Sequence, residues 1–366
     1  MSLKVGIVGL PNVGKTTLYN AMTGLSAPVS NFPFTTIEPQ VGAVSVPDER
    51  LDNLVKMYNP KKVVPASMEF VDIPGLGIGA SKGEGMGNGF LVAVRESDAL
   101  VHVVKCFIDE NVMTDTPFDP LSDIESLNLE LIFSDIDMID KRIEKIEKKA
   151  KMKADKESVV EYELLSKCKE CLSEMKPLRD LGLSKDEKKA LSSYAFLTLK
   201  PVLYVLNISE DEIGKEDSEL IKKIKAQVEK EGSMAISISC KIEDELSKLD
   251  NEDKELFLEE LGLEKPGLNA VVKASYDLLG LYTMFTCGDK DCHAWTFKKG
   301  MKAPQAAGCI HTDFEKGFIK AEIISYNDLM KAGSEKAAKE LNYFRLEGKE
   351  YLVNDGDVVH FRFNLW

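Results

Sequence analysis

The stretch Gly9–Thr16, GLPNVGKT, constrains this chain more than any other. It fits the spacing of a phosphate loop, G-x-x-x-x-G-K-[ST], which requires a strand leading in and a helix leading out. Both are present: the apolar KVGIVG precedes it and the helix-like TLYNAMTG follows. With glycine at about 7% of residues, a chance match arises in on the order of one chain in a hundred, so the flanking pattern is what makes the motif credible. The glycines let backbone N–H groups converge on phosphate oxygens, and the helix N-terminus adds partial positive charge. Lys15 is expected to reach the β- and γ-phosphates, and Thr16 to offer its hydroxyl to Mg²⁺. Strand, loop and helix in that order predict an α/β domain.

Further segments extend this site toward hydrolysis. ASMEFVDIPGLG reads as an apolar strand ending in Asp72 and continuing as D-x-x-G. Asp72 is expected to hold the Mg²⁺ hydration shell, and the Gly75 N–H to sense the γ-phosphate. Between the two motifs, NFPFTTIEP carries Thr35 and Thr36 in a loop bounded by Pro33 and Pro39, with Thr36 expected to close on the metal. Lys15, Thr36 and Gly75 are thus the expected catalytic set. Where Ras-like enzymes orient the attacking water with a glutamine, this chain has Leu76, which cannot hydrogen-bond. Hydrolysis is then slow or assisted from elsewhere. Asn12 offers one route, a carbonyl oxygen near a monovalent cation such as K⁺. Gly83, Gly85, Gly87 and Gly89 in SKGEGMGNGF are read as a mobile switch loop.

The base-reading position departs from the GTPase pattern. A buried strand, VLYVLN, breaks at Asn207 and continues as Ile208, Ser209 and Glu210, where a GTPase would carry Asn-Lys-x-Asp. Guanine presents donors at N1 and N2 on one edge, and the aspartate accepts both. Glu210 keeps the charge but adds a methylene, while Ile208 removes the lysine stem that covers the base. Adenine's N6 donor and N1 acceptor can use Asn207 and backbone groups without a bidentate carboxylate, so guanine selectivity is expected to be weak or lost. The alternative, Glu210 as a helix N-terminal acid, stays open. Ser239, Cys240 and Lys241 follow the strand-like SMAISIS, where a Ras-like fold places its last base-contacting loop.

GLPNVGKTT, NFPFTTIEP, VDIPGL, GASKGEGMGNGFL and NISE together resemble the YchF/Obg-like ATPase family of translation-factor P-loop proteins. AFLTLKP (195–201), FLEELGLEKPGLN (257–269), APQAAGCIHTDFEKGFIKAEIIS (303–325) and GDVVHFRFN (356–364) extend the resemblance over essentially the whole chain. It implies a Ras-like P-loop NTPase domain over residues 1–120 and 200–278, a helical coiled-coil insertion over 121–199, and a C-terminal β-grasp TGS domain over 279–366. It implies ATP preferred over GTP, a ribosome or ribosomal-RNA partner, and a switch role in translation or stress response. Carried over by position, Asn12, Val13, Gly14, Lys15, Thr16 and Thr17 bind the phosphates, and Thr16 and Thr36 meet Mg²⁺. Asn207, Ile208 and Glu210 line the base, with Ser239 in the loop beside them. Leu76 matches the family's hydrophobic replacement of the glutamine. One departure stands out: relatives can carry a histidine, proposed to aid hydrolysis, after VVKCF, whereas IDENVMTDTPFDP (108–120) has none. Other readings are a GTPase with relaxed base choice and a nucleotide-gated RNA or ribosome adaptor with negligible turnover.

From Leu129, residues Ile132, Ile136, Ile139, Ile143 and Ile146 recur at spacings of three and four, a coiled-coil seam. Leu164, Cys168, Cys171 and Met175 are expected to return antiparallel after a polar tip near KMKADKE. Between Lys141 and Lys156, eight of sixteen residues are Lys or Arg against three acids. That run is either a solvated face or a basic arm for ribosomal RNA. The net charge of −14 argues against wrapping bare nucleic acid over a broad surface, since each phosphate contact needs a cation. Downstream, HAWTF, FIKAEII and VVHFRFN, with the helix YNDLMKAGSEKAAKEL, predict a compact mixed α+β domain. No apolar run approaches the ~20 residues of a membrane span. The seven cysteines make no disulfide framework and are expected as thiols in the cytoplasm. CGDKDCH lacks a second pair at zinc spacing. His102, in ALVHVVK, is expected inside a strand rather than in catalysis.

Overall fold

The computed structural model describes residues 3–24, 39–75, 87–108, 118–153 and 155–364. Thr35, Thr36, Leu76, Gly83, Gly85 and residues 109–117 of the loop without histidine lie outside them. The chain begins β1 (Lys4–Val8), α1 (Lys15–Thr23), β2 (Gln40–Ser45), α2 (Glu49–Tyr58), β3 (Lys62–Val64) and β4 (Ser67–Asp72). It continues α3 (Gly87–Glu96), β5 (Ala99–Lys105), α4 (Pro120–Lys151), α5 (Lys156–Ser173) and α6 (Lys185–Leu191). Then come β6 (Val202–Asn207), α7 (Glu219–Lys230), β7 (Met234–Ile238), α8 (Cys240–Lys248), α9 (Asn251–Glu260) and α10 (Gly267–Leu278). The last part is β8 (Leu281–Cys287), β9 (Asp291–Lys298), α11 (Ala303–Ile310), α12 (Thr312–Lys316) and β10 (Phe318–Ser325). It ends with α13 (Tyr326–Ala332), α14 (Glu335–Glu340), β11 (Arg345–Glu347) and β12 (Asp357–Phe363).

These elements form two compact units, Met1–Gly42 with Glu69–Val271 and Ala43–Met68 with Val272–Trp366. In the first, a six-stranded sheet has the order β2-β4-β1-β5-β6-β7. β1 pairs in parallel with β4 and β5, β5 with β6, and β6 with β7. All of β6 is buried, as a central strand covered on both faces must be, which is why VLYVLN reads as a continuous apolar run. Parallel pairing brings the C-terminal ends of β1, β4, β6 and β7 to one edge, the side where open α/β sheets bind ligands. His102 lies inside β5, 2% exposed, and burial pushes its pKa down to about 3. Gly87 and Gly89 fall in the first turn of α3 rather than in the switch loop expected for them.

The helical insertion is the antiparallel pair α4 and α5. Asp119 caps α4, accepting the Ser122 N–H at 3.3 Å, and Pro120 occupies the first turn, where its missing N–H costs nothing. Ile132, Ile139 and Ile146 bury against Leu165, Cys168 and Leu172. The returning seam therefore ends at Leu172 and not at Met175, which lies beyond α5 with φ 57° and is 51% exposed. Arg142 grips Glu161 with both forks, at 2.7 and 2.8 Å. Lys145, Lys148 and Lys149 are exposed near the tip.

At the root of the arm, Asp135 on α4 is fully buried. It accepts the backbone N–H of Leu197 at 3.0 Å and, from Thr198, the N–H and hydroxyl, both at 2.8 Å. This carboxylate ties α4 to the segment that enters β6.

The second unit holds a mixed sheet in the order β11-β10-β12-β8-β9-β3. Ala303, Ala306 and Ala307 of α11 are fully buried in a core with Met284, Phe297, Phe318 and Phe361; side chains this small let the helix lie close to its neighbours. Residues 43–68 group with this unit. The reason is local: β3 pairs with β9, Lys62 opposite Asp291, and Arg50 of α2 binds Asp355 at 2.8 Å. The helix expected over YNDLMKAGSEKAAKEL is broken in two, because Gly333 takes φ 75° and Ser334 caps α14. Cys287 and Cys292 form a disulfide, a correction to the expectation of thiols. They face each other in the β8–β9 register with Cα atoms 4.1 Å apart, a proximity that spacing along the chain does not reveal.

Asp135→Ala strands two buried N–H groups. It should cost roughly 2–4 kcal/mol, seen as a lower thermal midpoint and lost amide-exchange protection in α4; an unchanged midpoint would mean these groups find other partners.

Candidate nucleotide site

The phosphate loop leaves β1 and turns into α1 through two left-handed residues, Asn12 at φ 61° and Gly14 at φ 103°. Gly14 is needed twice over. Its φ disfavours any side chain, and a Cβ there would sit 2.7 Å from Asn207 Nδ2.

Asn207, 5% exposed at the end of β6, holds the loop in place. Its Nδ2 donates to the Val13 carbonyl at 2.9 Å, and its Oδ1 accepts the Cys240 N–H at 2.9 Å. The amide expected to meet adenine is thus already engaged by backbone on both sides. It fastens the phosphate loop to the β7–α8 turn.

Lys15 opens α1 and is 7% exposed. Its ammonium donates to the Leu10 carbonyl at 2.6 Å. Burial lowers its pKa from the ordinary 10.5 to about 8, against the pull of Asp72. Thr16 donates its hydroxyl to Asp72 Oδ2 at 2.8 Å. Asp72 is 1% exposed, and desolvation raises its pKa while Thr16 and Lys15 lower it. Gly75 closes over this group: a Cβ on it would lie 3.1 Å from Lys15 Nζ and 3.3 Å from Pro11. Thr17 follows on α1, half-buried. Lys15, Thr16, Asp72 and Gly75 are therefore brought together, while Thr36 lies outside the described residues.

On the base side, Ile208 is buried and donates its N–H to the Ile238 carbonyl at 2.9 Å. Ser239, also buried, is the N-cap residue of α8. Glu210 is exposed and ion-paired with Lys241. That pairing was not foreseen. The fold expectation puts the two loops side by side, but nothing in the spacing of 31 residues says that these two side chains pair. The Leu10 carbonyl was missed for a different reason: backbone acceptors leave no mark on a sequence.

Known proteins match this chain from end to end. Over 100% of both chains, the sequence is 51% identical to the ribosome-binding ATPase YchF of Bacillus subtilis and 48% identical to that of Escherichia coli O157:H7. The chain belongs to the YchF family. A solved structure, titled as the Schizosaccharomyces pombe YchF GTPase, is 36% identical and superposes with TM-score 0.87 over 99% of this chain and 98% of that one. A family model described as a 50S ribosome-binding GTPase matches residues 4–160. The YchF GTPase C-terminal model, described as a protein of unknown function, matches residues 281–364. The family resemblance and its fold class, an α/β P-loop unit with helical arm and C-terminal mixed domain, are borne out. The GTPase match stops before β6, so it rests on the phosphate side and not on Asn207–Lys241.

Phosphate brought to Lys15 favours its charged form. Nucleotide binding should therefore take up a proton above about pH 8, and affinity should fall as pH rises through about 8. Calorimetry in buffers of different ionisation enthalpy reads the uptake; a buffer-independent heat across that range would refute it.

Proposed function

We propose that this chain is a ribosome-binding ATPase of the cytoplasm that hydrolyses ATP to ADP and phosphate as a nucleotide-dependent switch, with GTP the weaker substrate. One observation carries the choice of base. The names of relatives divide between ATPase and GTPase, but here the acid at the guanine-reading position is Glu210, already paired with Lys241. A carboxylate so engaged is a poor acceptor for guanine's two donors.

The residues present suit Mg²⁺. A hydroxyl and a buried carboxylate oxygen lie 2.8 Å apart, hard oxygen donors, and among the described residues Lys15 is the cation that acts on the carboxylate. Thr16, Asp72 and Thr36 would hold the ion, which supplies positive charge beside the β- and γ-phosphates. Lys15 exchanges the Leu10 carbonyl for phosphate oxygens. Backbone N–H groups of Asn12 to Thr17 and of Gly75 bind the remaining oxygens and stabilise the charge that develops as water attacks the γ-phosphate. Leu76 orients no water, so hydrolysis is slow without a partner; the Asn12 carbonyl is the group that would recruit K⁺. Ile208 and Ser239 shape the base pocket. Among the described residues no helix is long and apolar enough to cross a membrane.

The test of base choice is Mg²⁺-dependent titration with fluorescent ATP and GTP analogues, competed with unlabelled nucleotide. ATP should bind tighter, and Glu210→Asp should narrow the gap; GTP preferred tenfold, about 1.4 kcal/mol, would overturn the reading. For the ribosome, reversing Lys148, Lys149 and Lys151 to Glu should weaken co-sedimentation and leave ATP affinity alone. Unchanged co-sedimentation would show that the arm is only a solvated face.

A further inference from the structure

α3 is the first helix after Gly75, and it is seated on the strand ends that carry the phosphate site. Phe90, Ala93 and Val94 share a core with Val8, which precedes the phosphate loop, and with Val71 and Ile73 on either side of Asp72. Just past the helix, Ser97 and Ile73 both crowd Gly6 of β1, where a Cβ would lie 2.6 Å from the Ser97 hydroxyl and 2.7 Å from Ile73 Cδ1. Packing this close leaves no slack, so a displacement of β1 or β4 carries α3 with it.

From its last turn α3 also reaches the arm. Arg95 donates to Ser134 Oγ of α4 at 2.9 Å and to the Ala195 carbonyl at 3.3 Å, with Met138 Sδ at 3.9 Å. Lys200 closes the link from the other direction, donating to the Arg95 carbonyl at 2.9 Å and to the Ser97 carbonyl. The hold of the Arg95 side chain is easily given up. It is 22% exposed, and the carboxylate it faces, Asp135, lies 3.8 Å away and already accepts three donors from Leu197 and Thr198. Burial lowers the Arg95 pKa against the pull of Asp135, the mark of a cation short of charged acceptors. On release the guanidinium returns to water and Asp135 keeps its three donors, so no buried charge is stranded. The Asp135 tie itself has no such freedom.

We propose that Arg95 is a positioning residue that couples the nucleotide site to the helical arm: its contact with Ser134 and Ala195 is made in one nucleotide state and released in the other. Resting on the nucleotide-switch reading above, this assigns the switch its route out of the site. α3 carries the displacement of β4, Arg95 engages or frees α4, and Asp135 holds the root of the arm in both states. Coupling needs an element with two arrangements that both sites bias, and a contact this near to balance supplies one.

Amide exchange of the full chain, saturated with Mg²⁺ and either ADP or a non-hydrolysable ATP analogue, tests the route. The guanine pair is run alongside, so that a wrong choice of base is not mistaken for lost coupling. Peptides around Ser134 and Ala195 should differ between the two states by roughly fivefold or more in exchange rate. Arg95→Ala should remove that difference and leave the difference at the phosphate loop in place. Ser134→Ala, which breaks the same contact from the side of the arm, should do likewise, and Arg95→Lys should restore part of it. A residue that merely braces the fold would, on substitution, lose protection equally in both states. That result, a difference in α4 that survives both alanine substitutions, or a phosphate loop that responds while α4 does not would overturn the coupling and leave the switch reading standing. A phosphate loop that responds to neither base pair would overturn both.

Discussion

The amide of Asn207 is the contact on which the nucleotide site depends. Three segments far apart in sequence meet there: the phosphate loop through the Val13 carbonyl, the end of β6 through the residue itself, and the β7–α8 turn through the Cys240 N–H. One donor and one acceptor on a planar group satisfy two backbone groups that would otherwise be stranded inside the protein. An aspartate in its place would keep the acceptor and lose the donor. The close approach of this amide also explains why position 14 must be glycine, so a loop residue and a strand residue 193 positions apart form one requirement.

Around that clip, the phosphate side is assembled in advance. Lys15 and Asp72 are both buried, and each is perturbed by desolvation toward its neutral form. Their mutual attraction and the Thr16 hydroxyl offset part of that cost. Such an arrangement stores charge that is poorly solvated and therefore responsive to an incoming polyanion and metal ion. The base side is organised differently: Glu210 and Lys241 are exposed, so their ion pair is weak in energy beside the buried contacts of the phosphate side.

Much of this was legible in the chain. The phosphate loop, D-x-x-G and the interrupted base motif are local patterns, set by spacing of at most a few residues, so Lys15, Thr16, Asp72 and Gly75 could be named before any fold was known. Helix caps and the continuous apolar runs of β5 and β6 are local as well, and so was most of the α4 seam. Misjudgements arose where pattern alone cannot choose. Leu164 and Leu165 are adjacent leucines, and only packing against Ile139 and Ile146 selects the buried one. Gly333 looked like a tolerated glycine within a helix, until its left-handed backbone ended one helix and let Ser334 begin the next.

What the sequence determined by itself is the chemistry: which groups can hold phosphate and metal, that the guanine signature is altered, and that strands and helices alternate into an open sheet. What only the tertiary structure decided is which distant residues become neighbours. Asn207 with Val13 and Cys240, Glu210 with Lys241, Cys287 opposite Cys292, and residues 43–68 in the second unit all follow from strand order and register. The physical reason is that local propensity is written in side chains a few positions apart, whereas register is a collective outcome of burying every apolar face at once.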